Sequence, residues 1–183
     1  MEKKIKVLIV DDSVAARELL AHILVTDPGI SIAGFAADGG EALAAVKKLQ
    51  PDIVTMDINM PKLDGLSATR QIMATYPVPI VIVSGNMSSD QVSHAFDAIE
   101  AGALAVLCRP PGVTSPEHAK AAAELIQTVK LMSEIRVVTR LRRNLSSVNH
   151  DVAAGTRQCQ ASKMRVVAIG ASTGGPIALQ KIL

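Results

Sequence analysis

The chain has 183 residues, 49% of them hydrophobic and only 2% aromatic. This excludes a disordered polar chain and requires an aliphatic core, of the kind that suits a parallel sheet buried on both faces. The formal charge of +2 is uneven: residues 1–112 carry 9 basic and 13 acidic side chains, and residues 113–183 carry 10 and 4.

The first apolar run, "IKVLIV" (5–10), precedes a helical pattern at 13–24. "ISIAGFA" (Ile30 to residue 36 or 37) precedes one at 39–49, and "DIVTMD" (52–57) precedes one at 64–76. "PIVIVS" (79–84) leads to 88–102, and "ALAVLC" (103–108) leads to 115–132. Five βα units in a row predict an α/β domain with a five-stranded parallel sheet, doubly wound by right-handed crossovers. Ser13, Asp38 with Glu41, and Asp64 are predicted helix caps, and Ser115-Pro116-Glu117 reads as a helix start.

Beyond Met132, the positions Leu131, Ile135, Val138, Leu141 and Leu145 keep helical spacing with arginines between them. The last helix is therefore expected to continue as an amphipathic arm, with weak homodimerisation as one use for it. Residues 146–163 are small, polar and aperiodic, as in a linker, and "RVVAIG" (165–170) opens a new strand. The expected division is a domain at 1–132, a helical extension and linker at 133–163, and the start of a second α/β domain at 164–183.

The basic tail has no stacking aromatics, which argues against single-stranded nucleic acid, and no helix-turn-helix pattern for duplex DNA. No stretch is long and apolar enough to enter a membrane. Cys108 and Cys159 have neither metal-ligand nor disulfide spacing, which suits a reducing cytoplasm.

In open α/β sheets, sites form at the carboxyl ends of the strands. Asp11 and Asp12 end the first strand and Asp57 ends the third. If those strands are neighbours, three carboxylates converge, and their repulsion calls for a cation. Mg²⁺ suits all-oxygen ligands, and the Asn59 carbonyl is a further candidate ligand. Ser84 ends the fourth strand and Arg109 follows the fifth. A carboxylate nucleophile, a metal, a hydroxyl and a cation together suit phosphoryl transfer to Asp57. A lone strand-end aspartate is as easily a cap or a solvated loop residue; the five positions together carry the reading.

The segments "VLIVDDS", "ADGGEAL", "DIVTMDINMPKLDGL", "IVIVSG" and "GALAVLCRP" resemble the response-regulator receiver domain of two-component signalling. The likeness spans residues 4–112 and implies a flavodoxin-like (βα)₅ fold. It implies Asp57 as phosphoacceptor, Asp11 and Asp12 as metal-site acids, and Ser84 as the switch hydroxyl. Arg109-Pro110 falls where the family has Lys-Pro, commonly with a cis peptide. Two residues depart from the pattern. Arg109 replaces the usual lysine, and Val106 stands where an aromatic rotamer switch is usual.

The closing "VVAIGASTGGPIAL" is a strand, a glycine loop and a helix start. Read alone, it is an anion-binding loop, a nucleophile turn bearing Ser172, or a capped connection. Following a receiver and a linker, it resembles the chemotaxis protein-glutamate methylesterases of CheB type. That likeness implies Ser172 as the esterase nucleophile, methyl-accepting chemoreceptors as targets and a chemotaxis histidine kinase as phosphodonor. The family's catalytic histidine and aspartate are expected beyond Leu183. His22, His94 and His118 read as helix-surface residues, and His150 falls in the linker. These 183 residues are thus expected to accept phosphate without esterase activity, with residues after about 150 poorly packed. The alternative is a Mg²⁺-binding regulatory module with a different output or impaired phosphorylation.

Overall fold

The computed structural model describes residues 4–85 and 91–137. The strands are β1 (Ile5–Val10), β2 (Ile30–Ala36), β3 (Ile53–Met56), β4 (Ile80–Ser84) and β5 (Ala105–Cys108). They alternate with α1 (Val14–Leu24), α2 (Gly39–Leu49), α3 (Gly65–Thr75), α4 (Gln91–Ala101) and α5 (His118–Ser133). All strand pairs are parallel, in the order β2-β1-β3-β4-β5. This is the predicted doubly wound sheet.

The strands read as continuous apolar runs because both sheet faces are covered. Successive side chains point to opposite faces. Leu8, Val10, Val54, Met56, Ile80 and Ile82 pack with Ala42 and Val46 of α2, Ala68 and Ile72 of α3, and Ala98 of α4. Val7, Ile9, Ile53, Val81 and Val83 pack with Leu20, Ile23 and Leu24 of α1 and Leu125 and Val129 of α5.

The predicted caps form. Ser13 Oγ accepts from the Ala16 amide, Asp38 from Glu41, and Asp64 from Ser67. Glu41 reaches back to the Ala37 amide, closing a capping box in slightly shifted form. The fifth helix departs from expectation at both ends. Ser115 and Pro116 form a turn, with the His118 amide donating to the Ser115 carbonyl, and the helix begins at His118. It stops at Ser133, so the described residues 134–137 do not extend it as an arm. There the Ser133 hydroxyl takes the Lys130 carbonyl, and the chain enters a Val137-Val138-Thr139 run of weak helix formers. The rest of the expected arm, the linker and the start of the second domain lie outside the described residues, as do Cys159, His150 and Ser172. Among the described residues no helix is long and apolar enough to cross a membrane.

Thr55 sits in the central strand β3, paired with Ile9 and Val81, and is 1% exposed. Its hydroxyl has no hydrogen-bond partner among the described residues. Burying an unpaired hydroxyl is costly, and valine has nearly the same shape. Thr55→Val is expected to stabilise the domain by about 1 kcal/mol. Urea denaturation checks this; a loss of stability would show that the hydroxyl is satisfied.

Candidate functional site at the carboxyl edge of the sheet

The chain winds one way from β1 to β2 and the other way from β1 to β3, so the edge between β1 and β3 is a topological switch point, where open α/β sheets form their crevice. Asp11 and Asp57 follow these two strands directly, one residue past the last ladder position. The Asp57 amide donates to the Val10 carbonyl at 2.9 Å, and the Asp11 amide to Ala36 at 3.1 Å. On the far side the Arg109 amide donates to the Ser84 carbonyl at 2.9 Å. The sheet ladder thus sets all four residues at one edge.

Asp11 is 0% exposed and Asp57 4% exposed. One nitrogen, Arg109 Nη2, donates to both: to Asp11 Oδ2 at 2.6 Å and to Asp57 Oδ1 at 3.0 Å. The outer oxygens face backbone. Asp11 Oδ1 accepts from the Ser13 amide at 2.9 Å, and Asp57 Oδ2 from the Asn59 amide at 2.8 Å. Ser84 is buried at the end of β4. Asp12 is exposed, and its role here is electrostatic.

Burial lifts the Asp57 carboxyl above its usual range. Asp11 adds to this by repulsion, while Arg109 and the Asn59 amide act against it, and Asp12 repels further. Asp11 is likewise raised, first by burial, against the pull of the Ser13 amide and Arg109. One guanidinium here faces two buried carboxylates. Oxygen donors with excess negative charge fit a hard divalent cation such as Mg²⁺. Asp11 and Asp57 are the pair that could hold it, although among the described residues no third acid closes the group; Asp12 and Asn59 stand at the surface nearby in sequence.

Sequence reasoning named Asp11, Asp12, Asp57, Asn59, Ser84 and Arg109. The structure joins Asp11, Asp57 and Arg109 directly, sets Ser84 beside them in the ladder, and leaves Asp12 and Asn59 at the surface. Three supports were not foreseen. Arg17 Nη1 donates to the Asp11 and Asp12 carbonyls at 2.6 and 3.2 Å, pinning the turn that carries both acids. Its place four residues past the Ser13 cap, within reach of that turn, was the available signal. Gly65 opens α3 against the Asp57 backbone, and Gly85 lies under the Arg109 guanidinium.

The loop from Asp57 to α3 is tied to α2. The Gly39 amide donates to the Leu63 carbonyl at 3.1 Å, and Lys62 Nζ pairs with Asp38 at 2.6 Å. Lys62 takes a left-handed conformation there, with φ of 63°. The expected cis bond is not present: among the described residues no peptide is cis, Arg109–Pro110 included. Val106 is half-buried against the α2–α3–α4 layer. His22 is exposed on α1. His118 is half-buried, and its Nδ1–H donates to the Pro111 carbonyl at 2.7 Å. The carbonyl only accepts, so this bond fixes the tautomer.

Comparison with known proteins agrees with this geometry. The model of the response regulator receiver domain matches residues 7–114. A protein-glutamate methylesterase/protein-glutamine glutaminase of Geobacter metallireducens is 50% identical over 182 residues. That match takes in 98% of this chain but 51% of the relative, so the chain spans about half the length of the curated relatives it matches. Among solved structures, the response regulator domain of Thermotoga maritima CheB superposes with a TM-score of 0.65 at 33% identity, covering 73% of this chain and 99% of that one. A chain from the complex of the P1 domain of CheA3 with CheY6 from R. sphaeroides matches at a TM-score of 0.60 and 29% identity, covering 72% and 98%. The matched stretch spans the residues gathered at the sheet edge, and the chain belongs to the response regulator receiver domain family.

Proposed function

We propose that this chain is a phosphoacceptor and that Asp57 takes a phosphoryl group from a histidine kinase of the chemotaxis type. The observation that carries the reading is Asp57 itself: buried, held by the Arg109 guanidinium on one oxygen and by the Asn59 amide on the other. A carboxylate lifted in pKa by burial is a more basic nucleophile, and the two donors fix its direction of attack. In the step, an Asp57 oxygen forms a bond to phosphorus. The P–N bond of phosphohistidine, or the P–O bond of an acyl phosphate donor, breaks, and its electron pair leaves with imidazole or carboxylate. Mg²⁺, when bound, supplies charge neutralisation to the transferred oxygens. Arg109 adds a forked cation at the same edge, and Ser84 a hydroxyl.

Likeness to the methylesterases along 98% of the chain supports the wider reading. In the longer, cytoplasmic protein the receiver would govern an ester hydrolase acting on chemoreceptor glutamates, with Ser172 as its nucleophile. The complex of CheA3 P1 with CheY6 supports the kinase as donor.

Acetyl phosphate is expected to give a phosphoryl adduct on Asp57 that requires Mg²⁺ and is lost in Asp57→Asn. Intact-mass and peptide mass spectrometry check it. An adduct indifferent to Mg²⁺, or one that survives Asp57→Asn, would reject the reading.

A further inference from the structure

We infer that the groove between α5 and the turn after α1 is a docking surface for the stretch of this same chain that follows α5, residues 138–143, and that it takes the side chains of Val138 and Leu141.

The groove has a volume of about 520 Å³. It lies where α1 and α5 end and β2 begins, at the amino edge of the sheet and so at the edge opposite Asp57. Its apolar lining comes from Ala123, Ile126 and Leu131 of α5. Ile126 packs on the core beneath, whereas Leu131 is 54% exposed and Ala123 is exposed. Lys130 Nζ donates to Asp27 Oδ2 at 2.8 Å and so joins the two walls. Apolar surface held in a concave shape is stabilised by whatever covers it.

The path of the chain selects the occupant. Glu134 lines the groove and is the first residue past the end of α5, so the chain leaves from the groove itself. Residues 134–137 are not helical. A connection of about two to five residues is enough to turn one helix back along another. Six residues in a helix span about 9 Å, within the roughly 16 Å from Ala123 to Glu134 along α5. So short a tether holds residues 138–143 at an effective concentration in the millimolar range, which favours them over a second copy of the chain.

The residues themselves fit. Val138 and Leu141 are three apart, hence neighbours on one face of a helical turn, and lie outside the described residues. Arg140, Arg142 and Arg143 accompany them, and the segment has no acid. The groove presents two acids, Asp27 and Glu134, against the single cation Lys130, which is bonded to Asp27. A basic, apolar segment thus meets a groove of complementary charge. This inference does not depend on the phosphoacceptor reading, since no residue of the sheet-edge site takes part.

The arginines supply the test, which is limited trypsin digestion of the 183-residue chain followed by mass spectrometry. Leu131→Asp and Ala123→Asp each place a charge in the groove at an exposed position, where a substitution with nothing docked over it is close to neutral. In both variants cleavage after Arg140, Arg142 and Arg143 is expected to be about tenfold faster than in the parent, because cleavage follows the population of the undocked segment. Cleavage after Lys47 and Lys48 of α2 is expected to be unchanged. Equal rates in the parent and both variants would overturn the inference, as would faster cleavage at Lys47 and Lys48 in step with the arginines. Protection in the parent that fades on dilution would overturn it too, in favour of a second copy on this surface.

Discussion

Replacing Gly65 by alanine is expected to destabilise the domain by about 3 kcal/mol or more, at the upper end of overpacking costs, and to abolish phosphorylation in the molecules that remain folded. An alanine Cβ at this position would lie 1.9 Å from the Asp57 carbonyl oxygen, 2.8 Å from its carbon and 3.0 Å from the Ile58 Cα. All three are backbone atoms, so no rotamer change relieves the contact. Either α3 withdraws or the Asp57 peptide shifts. Withdrawal breaks the Gly65 amide bond to the Ile58 carbonyl and loosens Ala68 and Ile72 in the core. A shifted peptide moves the carboxylate away from Arg109 and Asn59. The gain from lower unfolded-state entropy, about 0.4–1 kcal/mol, is too small to offset this. Gly112 is the control, since a Cβ there meets nothing within 4 Å. Urea denaturation should place Gly112→Ala within about 0.5 kcal/mol of the parent and Gly65→Ala far below it. Similar losses in the two variants would show that close approach at Asp57 is not the cause.

Asp11→Asn is expected to separate folding from chemistry. It should raise stability at neutral pH by on the order of 1 kcal/mol while weakening Mg²⁺ binding about 100-fold or more. The Asp11 carboxyl is raised because burial penalises its charged form more than Ser13 and Arg109 favour it. A carboxylate raised on folding opposes stability above its folded pKa, and the opposition fades as pH falls toward its unfolded value near 3.8. Asp57 behaves in the same direction, and Asp11 is the second largest cause of its rise. The parent should therefore gain stability as pH drops from neutral. Below 3.8 the trend reverses, because Asp27, Asp38 and Asp64 are held low by their partners and lose that support when protonated. In Asp11→Asn the acid-side gain should be much reduced. Denaturant midpoints across pH, with calorimetric Mg²⁺ titration at neutral pH, check both halves. A variant less stable at neutral pH would show that the Arg109 bridge outweighs burial.

The sheet was legible because each strand is buried on both faces and so appears as an unbroken aliphatic run bounded by caps. Ser13, Asp38 and Asp64 marked helix starts to the residue, since a side-chain acceptor must stand just ahead of the first free amides. Pro116 misled because proline also suits a turn, and the Ser115 carbonyl was used there instead. Helical spacing beyond Met132 suggested helix at 134–137, where none forms, because apolar periodicity does not register the weak helix propensity of the valines that follow in the sequence.

At the site, strand ends predicted which residues meet, but not how. Arg109 and Asp11 are 98 positions apart, and their bond depends on the path of a long side chain across the sheet edge. The near-contact of Gly65 with Asp57 is equally hidden, since a glycine opening a helix reads the same whether its missing methyl group faces water or backbone.

The bonds that fasten residues 58–65 give the edge an uneven stiffness. On that flank Asp57 is backed by the Ile58–Gly65, Leu63–Gly39 and Lys62–Asp38 links. A bulky group added to the carboxylate would press against this side as against an anvil. On the opposite flank, among the described residues, it would meet the side chains of Arg109 and Ser84 rather than a loop bonded to a neighbouring helix.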